Sequence, residues 1–155
     1  MSGSGAPRLT VEGRGRRIAV VASSWHDRVM EALIANAVAT LEQAGASVTL
    51  VRVPGSFELP VACARLAHRF DGLVALGLVL RGGTPHFDYV CAGATQGIVD
   101  VMTRTGTPVG FGLLTCDTEQ QALDRAGLPG SPENKGCEAA EAVLATLDAL
   151  RAVGA

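Results

Sequence analysis

Asp71–His86 reads DGLVALGLVLRGGTPH, and this one stretch sets the fold class. Asp71–Leu80 carries a near-continuous apolar run, without the alternation of a strand that shows one face to water. The pattern predicts a strand buried on both faces, as in a parallel sheet covered by helices. Arg81–Thr84 turns the chain, and Pro85 suits the first turn of a helix expected to run to about Arg104.

The same order of strand, polar turn and helix recurs on both sides. Arg17–Ala22 (RIAVVA) is a short β-branched strand, and Asp27–Ala44 places Val29, Met30, Leu33, Ala37 and Leu41 at helical spacing before the cap glycine Gly45. Val48–Val53 is a second strand, stopped by Pro54-Gly55. A helix from Leu59 follows, with Pro60 in its first turn and Glu58 at or before the cap. Pro108–Leu114 is the fourth strand, and Asp117 is expected to cap a helix ending at Gly127. Leu128–Pro132 links it to a final helix, Asn134–Ala152. The expectation is an α/β fold: a three-layer α/β/α sandwich on a four-stranded parallel sheet, flavodoxin-like, in order 2-1-3-4. Residues 16–155 form one domain in this reading, after a flexible N-terminal tail over 1–15.

Composition narrows the function. Of 155 residues, 48% are hydrophobic and 18% charged, so surplus apolar surface favours self-association. A net charge of −2 offers no general attraction to nucleic acid or anionic membrane. No run is long enough to span a bilayer, and Gly/Ser/Arg-rich Met1–Gly15 does not read as a signal peptide. Cys63, Cys91, Cys116 and Cys137 stand far apart without metal-ligand spacing, so reduced thiols in a cytoplasmic protein are expected, with no metal.

Ligands of parallel sheets bind at the carboxyl ends of the strands, where this sequence places its unusual residues. Ser23-Ser24-Trp25-His26 follows the first strand, Pro54-Gly55-Ser56-Phe57-Glu58 the second and Arg81–His86 the third. Gly82-Gly83-Thr84 before a helix can present N–H groups to an anion, although taken alone the triplet reads more simply as a tight turn with Thr84 as the helix cap. His86 would project beside that anion and can move protons near neutral pH, or else bond locally. Trp25, the only tryptophan, can stack on a flat heterocycle or pack on the next helix. Glu58 can accept from hydroxyls. Arg125 suits the last turn of a helix. Lys135, the only lysine, opens a helix whose dipole disfavours it, and so calls for a partner elsewhere.

Five segments together resemble the lumazine synthase family: VVASSWHDRV (Val20–Val29), VPGSFELP (Val53–Pro60), LGLVLRGGTPHFDYV (Leu76–Val90), FGLLTCDTEQQALDRAG (Phe111–Gly127) and ENKG (Glu133–Gly136). The likeness runs from Arg17 to Arg151. It implies a transferase of riboflavin biosynthesis, working without cofactor. The reaction implied condenses 5-amino-6-ribitylaminouracil with 3,4-dihydroxy-2-butanone 4-phosphate to 6,7-dimethyl-8-ribityllumazine. An imine forms, phosphate is eliminated, and ring closure loses water. By the same resemblance Trp25 stacks on the pyrimidine, while Ser56, Phe57 and Glu58 bind the ribityl chain. The backbone of Leu78, Val79 and Leu80 reads the ring. Gly83 and Thr84 contact phosphate, and His86 transfers protons. Phe111 and Arg125 reach in from a neighbouring subunit, Arg125 holding phosphate with Lys135 close by. Gly83 stands where the family often has alanine or glutamine, and Trp25 where phenylalanine is commoner.

The resemblance also implies a homopentamer, which in some members assembles into an icosahedral 60-mer. The proline-bearing link Leu128–Glu133 resembles that of members that stop at pentamers. Rival readings fit less well. A flavin carrier would cradle phosphate in the first loop, where Ser23-Ser24-Trp25 is a poor cradle. A phosphotransfer receiver needs acids where Ser23 and Arg81 stand, and an inactive scaffold has no use for this set of polar residues.

Overall fold

The apolar run at 71–80 becomes strand β3 (Gly72–Leu80), whose first seven residues are buried. The structure, a computed structural model, describes residues 9–154. β3 lies inside a parallel sheet with β1 (Arg17–Ser23), β2 (Ser47–Val53) and β4 (Val109–Cys116), in the order β2-β1-β3-β4. Inner β1 is buried from Ile18 to Ser23, whereas edge strand β2 leaves Ser47, Thr49, Leu50 and Arg52 exposed. Continuous apolar runs belong to strands covered on both faces, and only the inner ones are so covered.

Helices α1 (Asp27–Gln43) and α5 (Lys135–Ala152) cover one face, closing a core of Val20, Leu33, Leu76, Val143 and Leu144. On the other, α2 (Leu59–Leu66) and α3 (His86–Thr105) enclose Val21, Leu59, Leu73 and Ile98. Each fully buried Leu or Ile here contributes about 1.5–3 kcal/mol. Contact around α5 is close enough to require glycine. A Cβ on Gly110 would strike the Ala139 carbonyl, and one on Gly136 the Leu33 carbonyl. Backbone approach at these two points fixes where α5 begins, and therefore where Lys135 stands.

Three boundaries differ from the sequence reading. The tail expected over 1–15 is already anchored near its end: Gly13 N–H donates to the Ala44 carbonyl at 2.8 Å, and Val11 packs on the core. Its first eight residues lie outside those described. β4 runs on to Cys116, because its last residues pair with the end of β3, up to Leu80 opposite Cys116. Asp117 is not the cap of the following helix, α4 (Glu119–Leu123). Arg81 Nε occupies its carboxylate at 2.5 Å, and the Thr118 hydroxyl accepts from Gln121 N–H instead. α4 also stops well short of Gly127. Residues 124–127 leave the helix to pair with 133–135: Glu133 N–H donates to the Asp124 carbonyl, Gly127 N–H to Glu133 and Lys135 N–H to Arg125.

All four cysteines are free thiols. Burial pushes the Cys63 thiol up to about 12, which leaves it an inert core residue. Among the described residues, no helix is long and apolar enough to cross a membrane.

Candidate active site

The loops after β1 and β2 interlock, and the second of them also touches β3 and α3. The Ser24 hydroxyl donates to the Val53 carbonyl at 2.8 Å, tying the first loop to the end of β2. His26 then takes a left-handed conformation, φ 63°, to start α1, the only non-glycine residue described with positive φ. This turn leaves Trp25 67% exposed, its indole Nε1 beside Gly55 of the second loop. Strain of this kind gathers at functional loops, and here it sits next to the one tryptophan.

In the second loop Ser56–Glu58 form a single 3-10 turn before α2. Glu58 Oε2 accepts from Gly55 N–H at 2.8 Å, so one carboxylate oxygen fixes the loop. Ser56 is buried, and its hydroxyl donates to the Leu78 carbonyl at 3.2 Å. Phe57 is exposed, with one ring edge against Gly93 of α3. The loop therefore joins β2, β3 and α3.

Pairing of β1 with β3 ends at Ala22 opposite Leu76, while pairing of β3 with β4 continues to Leu80. Beyond Leu76 the β1-facing edge of β3 has no strand beside it. Backbone groups alternate between the two edges of β3, and those of Leu73 and Arg81 bond toward β4. Leu78 and Leu80 therefore face the open edge and can offer donors and acceptors to a planar ring, whereas Val79 faces β4. Just beyond, α3 opens on Pro85 with no side-chain cap, so the alternative role of Thr84 as a cap does not hold. Exposed Thr84 and His86 stand at the positive end of this 20-residue helix, where the Asp88 N–H is already taken by the Pro85 carbonyl. Gly82 and Gly83 border open space, and neither takes the positive φ that would require glycine. Arg81 holds the turn from behind. It is bound to Asp117 and Asp88 and lies 4.1 Å over the Phe87 ring; the bond to Asp117, despite some desolvation, raises its pKa.

The remaining expected residues lie elsewhere. Phe111, Arg125 and Lys135 line a separate cavity of about 590 Å³ between β4 and α5, together with Glu133 and Glu138. No residue of the three strand-end loops lines it. Phe111, on edge strand β4, is 48% exposed. Arg125 donates from Nη1 to the Gln121 carbonyl at 2.8 Å, and its Nη2 lies 3.7 Å from Glu133 Oε1. Lys135 Nζ lies 2.7 Å from Glu133 Oε2 and 2.6 Å from Glu138 Oε2. Among the described residues, these two carboxylates are partners of the kind the lysine called for. Burial alone would lower the Lys135 pKa, but its bonds to Glu133 and Glu138 outweigh that and raise it. The Lys135 hydrogen bond in turn lowers the pKa of Glu133, so this lysine–glutamate pair is fully ionised at neutral pH.

The sequence model for 6,7-dimethyl-8-ribityllumazine synthase matches residues 15–151. The chain belongs to the lumazine synthase family. Among its relatives is the 6,7-dimethyl-8-ribityllumazine synthase of Streptomyces coelicolor, 60% identical over 99% of this chain and 97% of the relative. The enzyme of the same name from Paenarthrobacter aurescens is 59% identical, covering 97% of this chain and 98% of the relative. That of Micrococcus luteus is 58% identical over the full length of both.

Within this family frame, the strand-end loops bring together Trp25, Ser56, Phe57, Glu58, Leu78–Leu80, Gly83, Thr84 and His86 along one sheet edge. Phe111, Arg125 and Lys135 form a second group, which the same chain does not bring to the first. Sequence reasoning assigned no role to Glu133, within ENKG, and did not single out Glu138. The available signal was a carboxylate two positions before, and another three after, a lysine that opens a helix. Ser24 and the strained His26 were also passed over as neighbours of Trp25.

Proposed function

We propose that two copies of the chain build each reaction site, one supplying the strand-end loops and the other the cavity with Arg125 and Lys135. As a family member the chain is an enzyme, a transferase making 6,7-dimethyl-8-ribityllumazine in the penultimate step of riboflavin biosynthesis. The reading adds its substrates, 5-amino-6-ribitylaminouracil and 3,4-dihydroxy-2-butanone 4-phosphate, and the role of each residue. Trp25 stacks on the pyrimidine, and the open edge of β3 at Leu78 and Leu80 bonds to its polar rim. The carboxylate of Glu58 accepts from ribityl hydroxyls, with Ser56 and Phe57 shaping that end. Gly83, Thr84 and the start of α3 receive the phosphate from one side, Arg125 and Lys135 of the second copy from the other. Phe111 of that copy closes over the ring.

Holding two small reactants in register supplies much of the rate, since an amine attacks a ketone unaided. His86, beside the phosphate, moves the proton as phosphate leaves, and the surrounding N–H groups and cations stabilise the charge that develops. The observation that carries the proposal is the split itself: one edge has the ring and helix-terminus contacts, and a separate cavity has the cations. Exposed Val61, Tyr89 and Val99 on α2 and α3, with Leu50 on β2, add apolar surface suited to self-association.

The assembly in this reading is a homopentamer, stopped there by the link 128–133, in a reducing cytoplasm. Light scattering should give five times 15.9 kDa, and sixty times that mass would replace the pentamer with a shell. The activity test follows lumazine fluorescence from the two substrates against a protein-free control. Acceleration that falls about a hundredfold in His86→Ala is expected for a lost proton-transfer residue. Full activity in that variant would remove His86 from the chemistry.

A further inference from the structure

Among the described residues, two cations, Arg125 and Lys135, and two carboxylates, Glu133 and Glu138, line the cavity between β4 and α5, so carboxylates stand beside its cations before any ligand arrives. Glu133 lies at the centre. Its carboxylate contacts Lys135 Nζ through one oxygen and approaches Arg125 Nη2 through the other, and its side chain is only 13% exposed. The pairing of 124–127 with 133–135 fixes it there, because the Glu133 N–H and carbonyl are both used, by Asp124 and Gly127. Among the described residues Glu138 pairs only with Lys135, and it is 41% exposed, so water screens it far more. A site built only to hold a phosphate tightly would not place a shielded carboxylate between its two cations.

We infer that Glu133 is a resident counter-charge for Arg125 and Lys135, which an incoming phosphate must displace electrostatically and which returns to them when phosphate leaves. This rests on the reading that those two cations bind phosphate. Glu133 touches no reacting atom and acts through Arg125 and Lys135, as a positioning residue. With phosphate absent it keeps both cations inside the cavity, where unpaired they would swing to solvent or leave a buried charge uncompensated. With phosphate bound it repels the anion across a few ångströms of poorly screened space, weakening retention and speeding release of the phosphate that the reaction liberates. Its charge does not switch near neutral pH, so the effect is constant rather than regulatory.

The test is calorimetric titration of inorganic phosphate into the full-length protein as wild type, Glu133→Gln, Glu133→Asp and Arg125→Ala. Glu133→Gln keeps the shape and removes the charge, and should bind phosphate about fivefold more tightly, with a steeper loss of affinity as salt rises. Glu133→Asp restores the charge and should return affinity and salt dependence toward wild type, which a purely structural role for the side chain would not produce. Unchanged or weaker phosphate binding by Glu133→Gln, with thermal melting showing it folded, overturns the inference. If it does not fold, Glu133→Asp decides, because phosphate binding tighter than wild type would contradict a resident counter-charge. Phosphate binding that survives intact in Arg125→Ala would instead overturn the underlying reading of the cavity.

Discussion

The strand-end loops and the β4–α5 cavity are two halves of a binding apparatus built on opposite principles. The loops leave their groups open: Trp25 stands in solvent, α3 has no cap, and the upper edge of β3 has no neighbouring strand. The cavity is closed on itself, with Arg125 and Lys135 already paired to carboxylates. Neutral donors and an aromatic face can wait in water at little cost, whereas partly buried cations cannot be left without counter-charge. The physical nature of each group thus decides whether its half is open or pre-paired.

Breaking the paired half should have the largest effect. Arg125→Ala removes a forked donor from the developing phosphate charge and should lower kcat/KM about a thousandfold in the fluorescence assay. Arg125→Lys should recover only part of this, because a point charge does not reproduce the fork. Breaking the open half should cost less. Trp25→Ala forfeits stacking and should raise KM for the pyrimidine about tenfold, with kcat nearly kept. A large fall in kcat there would mean that the open loops do more than bind.

The same contrast explains what the sequence disclosed. Buried parallel strands announce themselves as unbroken apolar runs, so β1 and β3 and the loops after them were legible at once. Groups in those loops act where the chain leaves the sheet, and position alone assigned them to one edge. The cavity depends on a fold-back that no periodicity marks. Residues 124–127 abandon α4 to pair with 133–135, which moves Arg125 out of the helix end expected for it and carries Glu133 to both cations. Lys135 could be read as a cation in need of a partner, but which carboxylate answered could be known only once that fold-back was seen. The cap at Thr118 was hidden similarly, because Asp117 is drawn away by Arg81, which lies distant in sequence.

The smallest effect concerns the stability of the paired half. The folded-state pKa of Glu133 is lowered, so its contribution is complete above the ordinary glutamate value, about 4.3, and is lost as pH falls through the lower folded value. Wild type should therefore melt above Glu133→Gln at pH 7, by about 2 °C, and the gap should close toward pH 3. Lys135 is shifted upward and keeps its part of the cluster until pH exceeds its ordinary range, near 10.4. A gap that stays constant down to pH 3 would deny the ion pairing any role in stability.

The central claim is that the two halves meet only across two copies of the chain, and subunit mixing tests it most directly. His86→Ala spoils the loop half and Arg125→Ala the cavity half, each leaving the other intact. The two variants, unfolded together and reassembled in equal amounts, should regain about a quarter of wild-type activity, since chance pairing brings native halves together at that fraction of interfaces. If mixed assemblies are confirmed by mass and activity stays at the level of the separate variants, each chain carries a whole site and the account fails.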